Sequence, residues 1–322
     1  MEAREAVAKA IEGHGPIEQV YWIGCGGSMI DLMPADYMLQ AESAKVESHV
    51  YTAREFTVAP PRKLGSHSMV VALSHSGGTP EVVEACKLAQ ERGAYIFTMT
   101  STAGSIVDAP EWDTFVYDWQ DDTPQRELDA AQSILVVAEL LKAQEGYDAY
   151  DALQAGIDEL DRIIPAAKKK VNEELCNRFA ELCQKHDFLY ILGSGACFAQ
   201  TYGFAICSLM EMQWQNCCYI HSAEYFHGPF ECTEPGVFYF LQMSSGPSRV
   251  EDERALAFLN THTDTLMVLD ALEYGMDAVD ERVRAYLEPI MMYYMNVELR
   301  AARGRVFDHD PSVRRYMGIE KY

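Results

Sequence analysis

The sequence predicts an α/β protein made of two tandem, doubly wound parallel sheets, each flanked by helices. Three observations predict it. "YWIGCGGSM" at 21–29 returns as "YILGSGACF" at 190–198, an offset of 169 residues. Continuous β-branched and aromatic runs alternate with helical-period segments, as in strands covered on both faces. These runs stop in Gly/Ser-rich turns that open the next helix, the place where open α/β sheets collect ligands.

The same offset places Tyr21 on Tyr190, Gly24 on Gly193, Gly26 on Gly195, Glu55 on Glu224, Pro60 on Pro229 and Ser76-Gly77 on Ser245-Gly246. One register spanning several motifs marks an internal duplication. In order, each copy has a first strand (20–24 and 188–192) and a Gly-rich turn leading into a helix. A second strand follows (46–51 and 216–220). A third (68–73 and 237–242) ends in a Ser/Gly loop and a helix, and a fourth (94–99 and 265–269) closes the unit. The expected domains are 1–150 and 171–322, joined by connecting helix over 151–170. The lysine run at 168–170 reads as a solvated helix face. "PIMMYYMNVELRAA" reads as a helix whose Met and Tyr stripe is core or dimer contact rather than a cofactor box.

Composition narrows the function. A chain of 322 residues, 48% hydrophobic, is long enough for two cores. Its net charge of −23 argues against a nucleic-acid partner. "MEAREAVAKAIEG" lacks the apolar segment of a secretory signal, and no apolar run approaches a membrane span, so a cytoplasmic protein is expected. Nine cysteines without a CxxC pair read as free, mostly buried thiols.

The chemistry concentrates first in "VVALSHSGGTPE" at 70–81. A strand ends in Ser74-His75-Ser76-Gly77-Gly78-Thr79-Pro80. Thr79 suits an N-cap and Pro80 a first helical turn, leaving N–H groups and a helix dipole facing an anion. Gly77 and Gly78 would let the backbone approach closely. Ser28, after Gly26 and Gly27 in the first turn, adds a hydroxyl. The cluster suits a phosphate monoester. A nucleotide suits it less, because neither GxGxxG nor GxxxxGK[ST] is present. In the second copy Ser28 becomes Cys197 and Ser74 becomes Met243, so that loop is expected to be structural or a weaker polar wall.

The second half has its own distinctive segment, "MEMQWQNCCYIHSAEYFHGPFE" at 210–231. Glu211 closes an amphipathic helix, and His227 opens a His-Gly-Pro turn. Its counterpart at 58 is a valine. Such a pair beside a sugar phosphate can shuttle protons. Spacing alone also allows a helix-surface charge and a turn donor. His221, Glu224 and His227 do not have the HExxH spacing of a metal site.

Paired "GCGGS" and "SHSGGTPE" loops, duplicated, with Glu211 sixteen residues before a His-Gly-Pro turn, resemble the sugar isomerase (SIS) family. "MEMQW", "IHSAEYFHGPFE" and the tail "RRYMGIEKY" are most similar to its fructosamine-6-phosphate deglycase branch. The resemblance covers essentially the whole chain. It implies two SIS domains. It also implies Ser28, Ser74, His75, Ser76 and Thr79 as phosphate-pocket residues and Glu211 with His227 as the acid/base pair. Glu224, Gly26 and Gly27 are expected to orient groups or touch substrate. No metal or redox cofactor is needed. Aldose–ketose isomerisation, or sugar-phosphate binding without catalysis, are the alternatives on the same fold. The resemblance further implies a homodimer or dimer of dimers with a shared active site. The essential C-terminal lysine of glucosamine-6-phosphate synthase has no assignable counterpart, since only Lys321 lies near the end.

Overall fold

The computed structural model describes residues 1–321 of the chain. It divides into two compact units, Met1–Asp158 and Glu159 onward, with the division inside the helix α6.

The first unit runs α1 (Ala3–His14), β1 (Gln19–Gly24), α2 (Gly27–Glu42), β2 (Glu47–Thr52), α3 (Ala53–Val58), β3 (Ser68–Leu73), α4 (Pro80–Glu91), β4 (Tyr95–Thr100), β5 (Asp113–Val116), α5 (Asp129–Gln144) and α6 (Tyr150–Val171). All five strands are parallel, in the order β2-β1-β3-β4-β5. Every residue of β1, β3 and β4 is buried, which explains why these strands read as unbroken apolar runs. The fifth strand has no counterpart among the expected elements. It is four residues long and lies at the sheet edge, too short for a periodic signal.

The second unit runs α7 (Asn177–Lys185), β6 (Phe188–Gly193), α8 (Phe198–Gly203), β7 (Asn216–His221), β8 (Tyr239–Met243), α9 (Arg249–His262), β9 (Leu266–Asp270) and α10 (Arg284–Val306). Its order, β7-β6-β8-β9, repeats β2-β1-β3-β4. Tyr21 pairs with Val70 and Tyr190 with Tyr239, so the offset of 169 holds in the strand register. It becomes 170 at the last strand, where Val70 faces Ile96 but Tyr239 faces Leu266. One residue has been added before β9. In α10, Met291, Met292 and Met295 are fully buried, so the methionines of that stripe are core, while Tyr293 and Tyr294 are half-buried.

Two departures from the expected elements matter for the site. After α8 the helix widens into a π-helical stretch, Phe204–Glu211, a form common at functional sites. After β7 the chain makes successive turns over 222–228 where the first unit has α3. Among the described residues, no helix is long and apolar enough to cross a membrane.

Candidate active site

In the first unit, β1 and β3 are neighbours whose following helices leave from the same sheet end, the switch point of an open α/β sheet. There the two Ser/Gly loops touch. The His75 backbone N–H donates to Ser28 Oγ at 3.1 Å. Ser74 is buried, and its Oγ lies 2.8 Å from Thr79 Oγ1. Two hydroxyls sharing one hydrogen bond leave one proton for an outside acceptor. The Thr79 side chain therefore does not cap α4 as expected, although Thr79 stands at the N-cap.

The loop is set from within. Gly77 N–H donates to the Ser74 carbonyl at 2.9 Å, and Gly78 N–H to Ser76 Oγ at 3.3 Å. Gly77 has φ +70°, and a Cβ there would lie 2.2 Å from Ser105 Oγ. Only glycine fits that position. Gly78 meets nothing nearer than 3.8 Å, so the expectation of a close approach holds for Gly77 alone. Gly26, with φ +55°, and Gly27 stand exposed at the start of α2. The cradle is made of hydroxyls and amides, with His75 beside them. Ser28, Ser74, His75, Ser76 and Thr79 are thus brought together.

Sequence reasoning missed what stands behind His75. Its Nδ1 lies 2.9 Å from Tyr117 Oη, and that hydroxyl donates to Asp129 Oδ2 at 2.7 Å. The phenol's one proton goes to the carboxylate, so Nδ1 of His75 is the donor. Asp129 is buried at the start of α5 and accepts the Ala130 N–H at 2.9 Å. Burial pushes its carboxyl up, and burial plus the charge of Asp129 pushes Asp31 well up. Tyr117 directly follows the unexpected β5, which is what places it.

In the second unit the equivalent loop is filled by the protein's own anions. Glu288 of α10 accepts from Ser244 Oγ at 2.6 Å, Ser245 N–H at 2.7 Å and Ser245 Oγ at 2.5 Å. Asp252 of α9 accepts from Ser194 Oγ at 2.8 Å, Ser222 Oγ at 2.5 Å and Ser244 N–H at 2.9 Å. Both carboxylates are fully buried, and burial pushes Glu288 up to about 7. The donors of this loop are spent on the protein's own carboxyl groups.

Glu211 ends the π-helical stretch and lines a cavity of about 530 Å³ with Trp214, Asn216 and the tail residues Arg314 and Arg315. Arg314 places Nε at 3.0 Å and Nη2 at 2.8 Å from Glu211 Oε1. Beyond Glu211 the helix stops at Trp214, whose φ is +51°. Gln215 N–H donates back to the Leu209 carbonyl at 3.0 Å, so Trp214 occupies the left-handed position usually given to glycine. For a bulky side chain this costs about 1–2 kcal/mol. Buried Arg303 holds the strained residue from both sides. Its Nη1 donates to the Gln213 carbonyl at 3.1 Å and its Nη2 to Gln215 Oε1 at 2.8 Å.

His227 is exposed, after a turn in which its N–H donates to the Glu224 carbonyl at 2.9 Å. The Glu224 side chain is also exposed, so its link to His227 is through the main chain. His221 accepts the Ala223 N–H on Nδ1 at 3.2 Å. The segments bearing Glu211 and His227 lie on opposite faces of the second sheet. Phe204, in the Glu211 segment, packs on Phe240, with ring centres 5.8 Å apart. Tyr225, in the His227 turn, packs on Tyr239 at 6.1 Å. Tyr239 and Phe240 are successive residues of β8 and point to opposite faces. The structure does not bring Glu211 and His227 of one chain together.

Fold and loops together define a protein of two parallel α/β sheets of the SIS type. A Bacillus subtilis structure assigned to the phosphosugar isomerases aligns at TM-score 0.92 with 32% identity, covering 99% of this chain and 97% of that one. One from Salmonella typhimurium LT2 aligns at 0.93 with 31% identity, covering 100% and 98%. Among curated proteins, fructosamine deglycase FrlB of Bacillus subtilis is 33% identical over 309 residues, 95% of this chain and 93% of that protein. Fructoselysine 6-phosphate deglycase of Escherichia coli K12 is 27% identical over 303 residues, 94% of this chain and 86% of the other. No protein-family model matches. The chain belongs to the fructosamine deglycase family and is an enzyme.

Proposed function

We propose that the protein hydrolyses a 6-phosphofructosamine, the Amadori product of an amino acid, to glucose 6-phosphate and the free amino acid. The observation that carries this reading is the Glu211 carboxylate, held by Arg314 at the wall of an open cavity.

The Ser28, Ser74, Ser76 and Thr79 hydroxyls and the adjacent amides grip the phosphate, and His75 binds beside them. Opening of the hexose ring moves the anomeric hydroxyl proton to the ring oxygen, a transfer suited to His227. The open form carries a carbonyl at C2 and the secondary amine at C1. Glu211 takes a proton from C1, the electron pair moves toward C2, and the carbonyl oxygen is protonated to give an enaminol. Return of a proton to C2 gives the imine at C1. Water adds to that imine, and the C–N bond breaks to release the amine and the aldehyde of glucose 6-phosphate. Proton carriers suffice for every step, and no redox change occurs.

His227 is assigned to a second copy of the chain in a two-fold dimer. The packing of the two segments on opposite sheet faces supports this assignment, since a residue of the same chain would have to act past the sheet. Incubation with 6-phosphofructoselysine, with glucose 6-phosphate read by a coupled assay, tests the reading. Glucose 6-phosphate and free lysine should appear in equal amounts. Release of neither, by protein that binds the compound, would overturn it.

A further inference from the structure

The cavity beside Glu211 holds two guanidinium groups in different circumstances. Arg314 is spent: it pairs with Glu211, and its Nη1 donates to the Pro311 carbonyl at 2.5 Å. Arg315 is exposed, lies over the Trp214 ring at 4.0 Å from its centre, and pairs with no carboxylate among the described residues. In a chain of net charge −23, a cation left unpaired on a cavity wall is set apart for something.

Its platform is costly to keep. Trp214 stands in a left-handed conformation where glycine would be relaxed, and Arg303 fixes both flanking residues. Strain of this kind persists only where the surroundings over-determine it. Here it fixes the indole under Arg315, at the cavity that Glu211 opens onto.

We propose that Arg315, stacked on Trp214, binds a carboxylate carried by the leaving amine, so that the enzyme selects amino acids over simple amines as leaving groups. The proposal rests on the deglycase reading above. If Glu211 takes the C1 proton, the nitrogen on C1 stands beside Glu211. In a sugar joined to an α-amine, the α-carboxylate lies two bonds beyond that nitrogen, and Arg315 lines the same cavity as Glu211. A planar guanidinium with unspent donors matches a carboxylate in geometry as well as charge. Arg314 cannot serve, because its charge is already balanced.

The test compares two substrates that differ by one carboxylate: the 6-phosphofructosyl derivatives of glycine and of methylamine. Wild-type protein should turn over the glycine compound with a kcat/KM about tenfold higher or more. In R315A that preference should fall to about one, and R315K should restore part of it, because a point charge replaces a fork. Equal kcat/KM for the two substrates in wild-type protein would overturn the subsite while leaving the deglycase reading intact, and this needs no variant to fold. Loss of both activities by one common factor in R315A, with the preference kept, would overturn it as well. Turnover of neither substrate by wild-type protein that releases lysine from 6-phosphofructoselysine would overturn the subsite and leave the deglycase reading intact.

Discussion

Arg314 closes on a single oxygen of Glu211, with Nε at 3.0 Å and Nη2 at 2.8 Å from Oε1. One residue comes from the end of a π-helical stretch and the other from the C-terminal tail, 103 residues later. The ion pair fixes the carboxylate at the cavity and leaves Oε2 to meet a proton. Glu211→Gln keeps the shape and removes the base. It should lower kcat by about a hundredfold to ten-thousandfold while phosphate binding and fold are kept. The offset of 169 places Glu42 on Glu211, and the matched change Glu42→Gln in the first unit should leave activity in place. Steady-state kinetics of the two variants checks this, and an active Glu211→Gln protein refutes the mechanism.

The proposed phosphate cradle predicts an asymmetry between the two units. Removing the paired hydroxyls by Ser74→Ala with Thr79→Ala should raise KM strongly, because hydrogen bonds to a charged group are lost. Changes at Met243 and Ser248 should do little, since the second loop is committed to Glu288 and Asp252. Equal rises in KM from both units would contradict the assignment.

Tyr117→Phe interrupts the chain from His75 to Asp129. It leaves a buried carboxylate without its phenol partner, at a cost of about 1–3 kcal/mol in unfolding free energy. The ring of His75 loses its anchor at Nδ1, so KM for the phosphosugar should rise more than kcat falls. Chemical denaturation read together with kinetics separates the two effects. A variant as stable as the parent, with unchanged KM, would show that the chain does not position His75.

Glu288 links stability to pH. Its folded-state value of about 7 stands above the usual 4.5, so the folded protein holds the proton more tightly. That stabilisation is fully present below about pH 4.5 and is lost as pH rises through about 7. The size of the rise corresponds to roughly 3 kcal/mol. Half-buried Asp31 and buried Asp129 and Asp252 are also raised and act in the same direction. The difference is therefore the informative quantity. Stability of Glu288→Gln relative to wild type should increase between about pH 4.5 and pH 7.5, and a difference flat across that window would contradict the assignment.

A shared site predicts complementation. Glu211→Gln and His227→Asn proteins should each be inactive. Random mixing makes about half the dimers mixed, each with one intact and one doubly damaged site, so activity should return to about a quarter of wild type. No recovery, once mass spectrometry has shown the mixed dimers, would place both residues in the same site of one chain.

The sequence by itself determined the local and repeated features. Unbroken apolar runs showed the strands covered on both faces, and the Gly/Ser punctuation showed where they end. One offset of 169 carried the duplication, and the structure keeps it in the strand register as far as β8. That Ser28 and the 74–79 loop come together was legible because they lie in two short loops after neighbouring strands. The roles proposed for Glu211 and His227 rest on resemblance, since a lone acid and a lone histidine have bland readings.

What the tertiary structure decided are contacts between residues far apart in sequence. Tyr117 and Asp129 stand behind His75 because a four-residue edge strand, too short to show a period, brings the chain there. Glu288 and Asp252 silence the second loop from helices whose sequence gives no hint of a buried carboxylate. Arg314 finds Glu211 across 103 residues. Periodicity reports which face of an element is buried, and spacing reports what sits in one loop. Which charge meets which across a fold depends on packing, and no pattern along the chain encodes it.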